Sequence, residues 1–225
     1  MHTASTRLLR ILHLASPALP IGAFHFSQGL EYAVEAGWVK DEAGALEWIG
    51  GVAQRAVATL DLPVLLRLHR AGVAGDAQGL QRWNRFLLAA RETEELRAED
   101  RHMGAALARV LRELGAGDCL SNEQPAELGY AAMFALACAR WNVSEHDALQ
   151  AYAWTWAENQ VLAAVKLVPL GQSAGQHILH ALIPQLEQFA TQALRIQDED
   201  IGACAILQGL ASARHESQYT RLFRS

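Results

Sequence analysis

The aliphatic residues of this chain are divided unevenly, and that division limits what it can fold into. Among 225 residues there are 41 alanines and 33 leucines, against 11 valines and 8 isoleucines. Alanine and leucine lie at the favourable end of helix propensity, whereas sheets draw on β-branched side chains. No run alternates apolar and polar residues long enough to make a strand. The expectation is an all-α chain. Hydrophobic residues make up 51% and charged residues 19%, which is ample for a large core and too apolar for disorder. The length suits one compact domain over residues 1–225.

Punctuation residues divide the chain into nine or ten helices. Leu8, Leu9, Ile11, Leu12 and Leu14 form a short apolar helix that Pro17 and Pro20 stop. Ser27 can cap a second helix through Val34, closed at Gly37, and Asp41 a third from Glu42 to about Thr59. Asp61 and Pro63 read as a break and a restart. Helical spacing then covers 76–90, 92–114, 126–140, 144–168, 173–196 and 202–215, with Ser144 opening the 144–168 helix. Gly115 to Gln124, with two glycines, Ser and Asn, reads as an exposed loop.

Charge and cysteine usage exclude several classes. The formal charge is −5, and without a basic face nucleic-acid binding is not expected. No apolar run reaches the ~18 residues that span a bilayer, so no membrane partner is expected. Cys119, Cys138 and Cys204 form no C-x-x-C pair and leave one thiol over in any disulfide scheme. A reducing, cytoplasmic setting fits them.

Catalytic motifs fail on inspection. His215-Glu216 opens like H-E-x-x-H, but Tyr219 stands where the second imidazole belongs. Gly171 to Gly175 matches the nucleophile elbow G-x-S-x-G, which makes Ser173 a candidate hydrolase nucleophile with His177, His180 or His215 as base and Asp198 as acid. An elbow needs a strand before it, and Pro169 lies where that strand would be paired. His177 and His180, three apart, fall on the polar side of a helix whose apolar face is Ile178, Leu179, Leu182, Ile183, Leu186 and Phe189. They close no ligand set, so neither a metal nor a cofactor is assigned. A phosphate-cradling G-x-x-x-x-G-K-[ST] is also missing.

Two features point to contact rather than catalysis. Lys166, one of only two lysines, sits in an otherwise apolar turn from Val161 to Val168 and reads as buried. Such an ammonium snorkels out or hydrogen-bonds the carbonyls left open before Pro169, or else it contacts a partner. The tail from Arg214 to Ser225 combines Arg214, His215, Glu216, Tyr219, Arg221, Leu222, Phe223 and Arg224. Arginine and aromatic residues of this kind favour docking, on a partner first and on the chain's own domain as the alternative.

Four segments resemble the urease accessory protein F (UreF) family. They are Leu14 to Glu31, with Ser16-Pro17-Ala18-Leu19-Pro20-Ile21-Gly22-Ala23-Phe24 and Ser27-Gln28-Gly29-Leu30-Glu31; Arg91 to Arg97; Val165 to Gln172; and Ser212 to Ser225. His25-Phe26 departs from the pattern, in which a serine and an aromatic with a polar handle precede Ser27. The resemblance implies a non-enzymatic, all-helical, homodimeric maturation factor. Its implied partners are UreD (also called UreH), the GTPase UreG and apo-urease, in support of nickel delivery. It also implies that partner contacts involve Ser27, Glu31, Arg91 and Glu92, together with Lys166 and the tail.

Overall fold

The structure, a computed structural model, describes residues 4–116 and 128–225. Most of the loop expected at 115–124 lies outside the described residues. Among the described residues ten α-helices follow one another: α1 Ala4–Leu14, α2 Leu30–Glu35, α3 Glu42–Val52, α4 Leu62–Ala74, α5 Ala77–Ala90, α6 Glu94–Glu113, α7 Tyr130–Arg140, α8 Glu145–Leu167, α9 Gln172–Ala193 and α10 Ile206–His215. No strand occurs among the described residues, and the all-α expectation holds.

Local chemistry accounts for most boundaries. Asp41, Asp76, Thr93 and Ser144 each accept an N–H three residues on, from Gly44, Gly79, Leu96 and Asp147 respectively. Each satisfies one donor that the first turn leaves open. α7 starts without a side-chain cap of its own. Asn84 accepts the N–H of Gly129 at 2.8 Å and Asp100 that of Tyr130 at 2.6 Å, so neighbouring helices fill the role.

α7 is buried along nearly its whole length between α4 and α6, with Met133, Phe134 and Ala135 at 0% exposure beside Leu62, Leu65 and Leu107. Gly104 of α6 permits this approach, because a Cβ there would overlap the Leu128 carbonyl oxygen. α8 and α9 pack as a long antiparallel pair on the other side of α4. α9 runs through Pro184 without ending, and Ile183, expected on its apolar face, is 45% exposed.

The break expected at Asp61 and Pro63 does not occur. A π-helical segment, Ala53–Asp61, joins α3 to α4 in one run, Glu42–Ala74. The Leu62 N–H donates to the Val57 carbonyl, five residues back. Pro63 has no N–H for the carbonyl four residues before it. That carbonyl, of Thr59, accepts from the Gly202 N–H at 3.1 Å instead. This run is long and apolar enough to cross a membrane, but 67% of its most apolar window is buried in the protein, as in a core helix.

Ser27 does serve the first turn of α2, but from two residues before the cap position. The cap position is Gly29, at φ 84°, where a Cβ would stand 2.8 Å from the Ser212 nitrogen. α10 passes so close that only glycine fits there. The Ser27 hydroxyl accepts the Glu31 N–H at 3.3 Å, one of the open donors of that turn, and donates to the Ser225 main-chain oxygen.

Candidate functional site

Three carboxylates gather the tail onto α2 and α6. Glu31 is 7% exposed. It accepts the main-chain N–H groups of Leu222 at 2.6 Å and Phe223 at 2.8 Å, and faces His215 Nε2 at 3.1 Å. Glu95 faces His215 Nδ1 at 2.7 Å and accepts from Arg221 at 2.8 Å. Both nitrogens of a fully buried imidazole thus meet carboxylate oxygens, so both must donate unless an acid carries the proton. Glu99, four residues after Glu95 on the same face of α6, accepts from Ser225 Oγ at 3.0 Å and Gln28 Nε2 at 2.8 Å. Burial pushes its carboxyl up to about 7, against the opposing hydrogen bonds from Gln28 and Ser225.

The tail returns the favour to α6. Glu216 Oε1 accepts the N–H groups of Glu94 at 3.0 Å and Glu95 at 3.4 Å, the open donors of the first turn. Ser212 shares a 2.7 Å hydrogen bond with the capping Thr93. The tail is therefore already docked on its own domain, contrary to the expectation that a partner would order it. Its groups alternate. His215, Phe223 and Ser225 are buried, whereas Tyr219 is fully exposed and Leu222 is 67% exposed. Arg214 and Arg224 also face outward.

Lys166 is exposed, not buried as its apolar neighbours suggest. Its ammonium lies 5.6 Å from the ring centroids of both Phe24 and Phe223, a cation between two π faces. Ser27, Glu31, Lys166 and the tail thus converge. Arg91 and Glu92 do not join them. Arg91 turns inward to Asp61 at 2.5 Å and Asp100 at 3.1 Å. Burial opposes its charge, but the two acids hold the guanidinium well above its ordinary pKa, and burial raises the Asp61 carboxyl in turn. Glu92 is exposed and accepts from Cys204 Sγ at 3.0 Å.

Behind the carboxylates lies a cavity of about 60 Å³ with a mixed lining, in which Asp61, Arg91, Glu99 and Tyr130 meet Phe26, Val57 and Met103. The buried Tyr130 hydroxyl has no partner. Sequence reading missed Glu95 and Glu99 as tail contacts. The four-residue spacing of the two α6 acids was the available signal, and it reads equally well as a solvated face.

The hydrolase arrangement is not assembled. Ser173 lies exposed in the first turn of α9, and the segment before it is the end of α8 rather than a strand. Asp198 is held by Arg67 at 2.8 Å, and His215 is enclosed by the two glutamates. His177 and His180 are exposed, and His177 lies 3.4 Å from Glu42. No three His, Cys, Asp or Glu side chains converge as a metal-binding group among the described residues.

Residues 39–183 match the family model UreF. The chain belongs to the UreF family. Curated relatives agree over almost the whole length. The urease accessory protein UreF of Alkalilimnicola ehrlichii is 47% identical over 216 residues, covering 96% of this chain and 95% of the relative. That of Teredinibacter turnerae is 47% identical over 224 residues, covering 98% and 100%. The Pseudomonas putida protein of the same name is 46% identical over 218 residues, covering 97% of each. These alignments extend well beyond 39–183.

Proposed function

We propose that this chain is a urease accessory protein that acts by contact and not by catalysis. In this reading it works in the cytoplasm as a homodimer. It binds UreD/UreH and the GTPase UreG, docks on apo-urease and supports GTP-dependent insertion of nickel. The observation that carries the reading is 47% identity to proteins named urease accessory protein UreF at near-complete coverage of both chains.

The geometry supports contact chemistry. A docked tail that buries Phe223 and leaves Tyr219 and Leu222 in solvent presents apolar groups on a fixed backbone, which lowers the ordering cost when a partner binds. Lys166 and the tail share one face, so one partner can read both. A scaffold of this kind alters a GTPase only by binding its conformational states with different affinity.

The test is urease maturation in cells that carry a urease operon with and without this chain. Urease activity and nickel content should fall together without it and return with the wild type or with Ser173→Ala. Full activity at limiting nickel without the chain overturns the proposal, and loss of activation by folded Ser173→Ala revives the hydrolase.

A further inference from the structure

Of the three carboxylates that hold the tail, Glu99 differs from the other two. Glu31 takes two main-chain amides and an imidazole nitrogen, and Glu95 takes the Arg221 guanidinium and the other nitrogen of the same ring. Glu99 meets only two neutral side-chain donors, Gln28 Nε2 and the Ser225 hydroxyl. It is 7% exposed and makes no ion pair among the described residues. Arg91 is bound to Asp61 and to Asp100, the residue after Glu99. A buried carboxylate in such surroundings bears its charge at a cost.

The neighbours also decide which oxygen can take a proton. The Trp156 indole N–H donates to Gln28 Oε1 at 2.9 Å, and Gln208 Nε2 lies 3.4 Å from the same oxygen. An indole nitrogen only donates, so the Gln28 amide cannot turn over without setting donor against donor. Its NH2 group therefore stays on Glu99 Oε1, which must accept. A proton has room only on Oε2, against Ser225 Oγ at 3.0 Å, and a hydroxyl can change from donor to acceptor. Gln28 holds this position with φ 53°, a backbone that a glutamine keeps only where its contacts determine it.

We propose that Glu99 is a proton-operated latch on the end of the tail: protonated on Oε2 it keeps Ser225 seated, and on ionising it lets Arg224 and Ser225 lift from His25 and Ser27. Those two residues are otherwise tied by the Arg224 N–H to the His25 carbonyl at 2.8 Å and by the Ser27 N–H to the Ser225 oxygen at 2.7 Å. Phe223 lies beside them against Lys166, so the latch sets how firmly that ring is held. It belongs to the chain alone and does not depend on the function proposed above. Seated, the carboxyl holds its proton up to about 7; hydrated, it returns toward 4.5. Between these values the seated form binds more protons, so rising pH favours the lifted form. Asp61, Arg91, Glu92, Asp100, Tyr130 and Tyr152 share the Glu99 cavity. Burial raises both tyrosines and keeps them neutral, and Arg91 stays charged. Glu31, Glu95, His215 and Arg221 lie farther along the strap, and comparison with Glu99→Gln cancels their titration.

Amide exchange on the full chain tests the latch at the Ser27 and Arg224 amides, corrected for the intrinsic pH dependence of exchange. Between pH 5 and pH 8 the wild type should lose at least tenfold in protection there, with a ceiling of about 70-fold, whereas Glu99→Gln should lose less than threefold. Matching profiles in the two proteins overturn the proposal. An equal loss at the Phe134 amide in α7 also overturns it, because the opening is then that of the whole fold. Carboxyl carbon NMR of the wild type needs no variant: Glu99 should titrate near 7, and titration near 4.5 removes the latch. Ser225→Ala withdraws a donor from the carboxylate and keeps the main-chain ties, so it should move that midpoint higher still. An unmoved midpoint shows that Ser225 does not seat on Glu99.

Discussion

The Glu31 carboxylate accepts the Phe223 N–H at 2.8 Å, so a residue of α2 holds the far end of the tail in place. The same carboxylate serves Leu222 and His215. The tail is a strap across α2, α6 and α10, and its inner and outer faces can be tested separately.

Glu31→Ala removes three hydrogen bonds, to the buried His215 ring, the buried Phe223 amide and the part-buried Leu222 amide. It should lower unfolding stability by about 3 kcal/mol. Amide exchange at Leu222 and Phe223 should accelerate more than exchange in the α7 core. Unchanged protection at those two amides in a variant of normal stability would refute the strap.

Arg91→Ala should cost about 3–5 kcal/mol, because Asp61 and Asp100 would remain buried without their cation. Arg91→Lys should recover only part, since one ammonium cannot reproduce the fork that reaches both acids. Chemical denaturation gives the numbers. If Arg91→Ala is as stable as the wild type yet fails to activate urease, Arg91 is a partner contact after all.

Glu99 should impose a pH slope. Its carboxyl ionises at about 7 in the folded protein, against an ordinary 4.5. Between those values the folded state holds more protons than the unfolded one, so stability falls as pH rises from about 4.5 to about 7, by up to about 3 kcal/mol. Glu99→Gln should flatten that window relative to the wild type. Gln28, Ser225, Arg91 and Asp100 all act on this carboxyl, so the readout is the difference between the two proteins. Identical pH profiles would remove Glu99 as the source.

Tyr130→Phe should be neutral or stabilising by about 1 kcal/mol, since the hydroxyl it removes is buried without a partner. A loss above about 1.5 kcal/mol would mean that ordered water in the adjoining cavity holds that hydroxyl.

Tyr219→Ala combined with Leu222→Asp alters only the outer side of the strap. The thermal midpoint should stay within a few degrees of the wild type, while retention of UreD/UreH or UreG in a pull-down falls at least tenfold. Deleting 214–225 should behave differently, because it strands Glu31, Glu95 and Glu99 and unseats Phe223, and it should lower the midpoint by many degrees. Lys166→Ala, at an exposed site, should cost at most about 1 kcal/mol, so any larger loss of urease activation reports on a partner.

Helices were legible where their signals are local. Asp41 and Ser144 cap as the sequence suggests because capping needs only three residues. The misreadings involve distant partners. Ser27 precedes α2 in a pattern that invites capping, but α10 forces Gly29 into that place. Pro63 looks like a stop because the Gly202 N–H that satisfies Thr59 is far away in sequence. Lys166 has apolar neighbours along its helix, yet a helical wheel does not show that this last turn projects beside Phe24 and Phe223. The composition of the tail revealed that it docks, not on what. Ser27 and Glu31 were picked out through family resemblance alone, since nothing in their own spacing distinguishes a buried acceptor from a solvated one.

The π-helical segment makes the chain sensitive to counting. An α-helix turns by about 100° per residue, and the wider turns of Ala53–Asp61 set the angle at which everything after them leaves α3. Deleting one residue between Ala53 and Thr59 while the wide winding persists would swing Asp61 by nearly that angle, away from Arg91. It would also carry the Thr59 carbonyl away from Gly202. Substitutions in this stretch can be mild, whereas a change of length by a single residue cannot. Genes of this family should therefore tolerate insertions and deletions almost anywhere on the surface sooner than here.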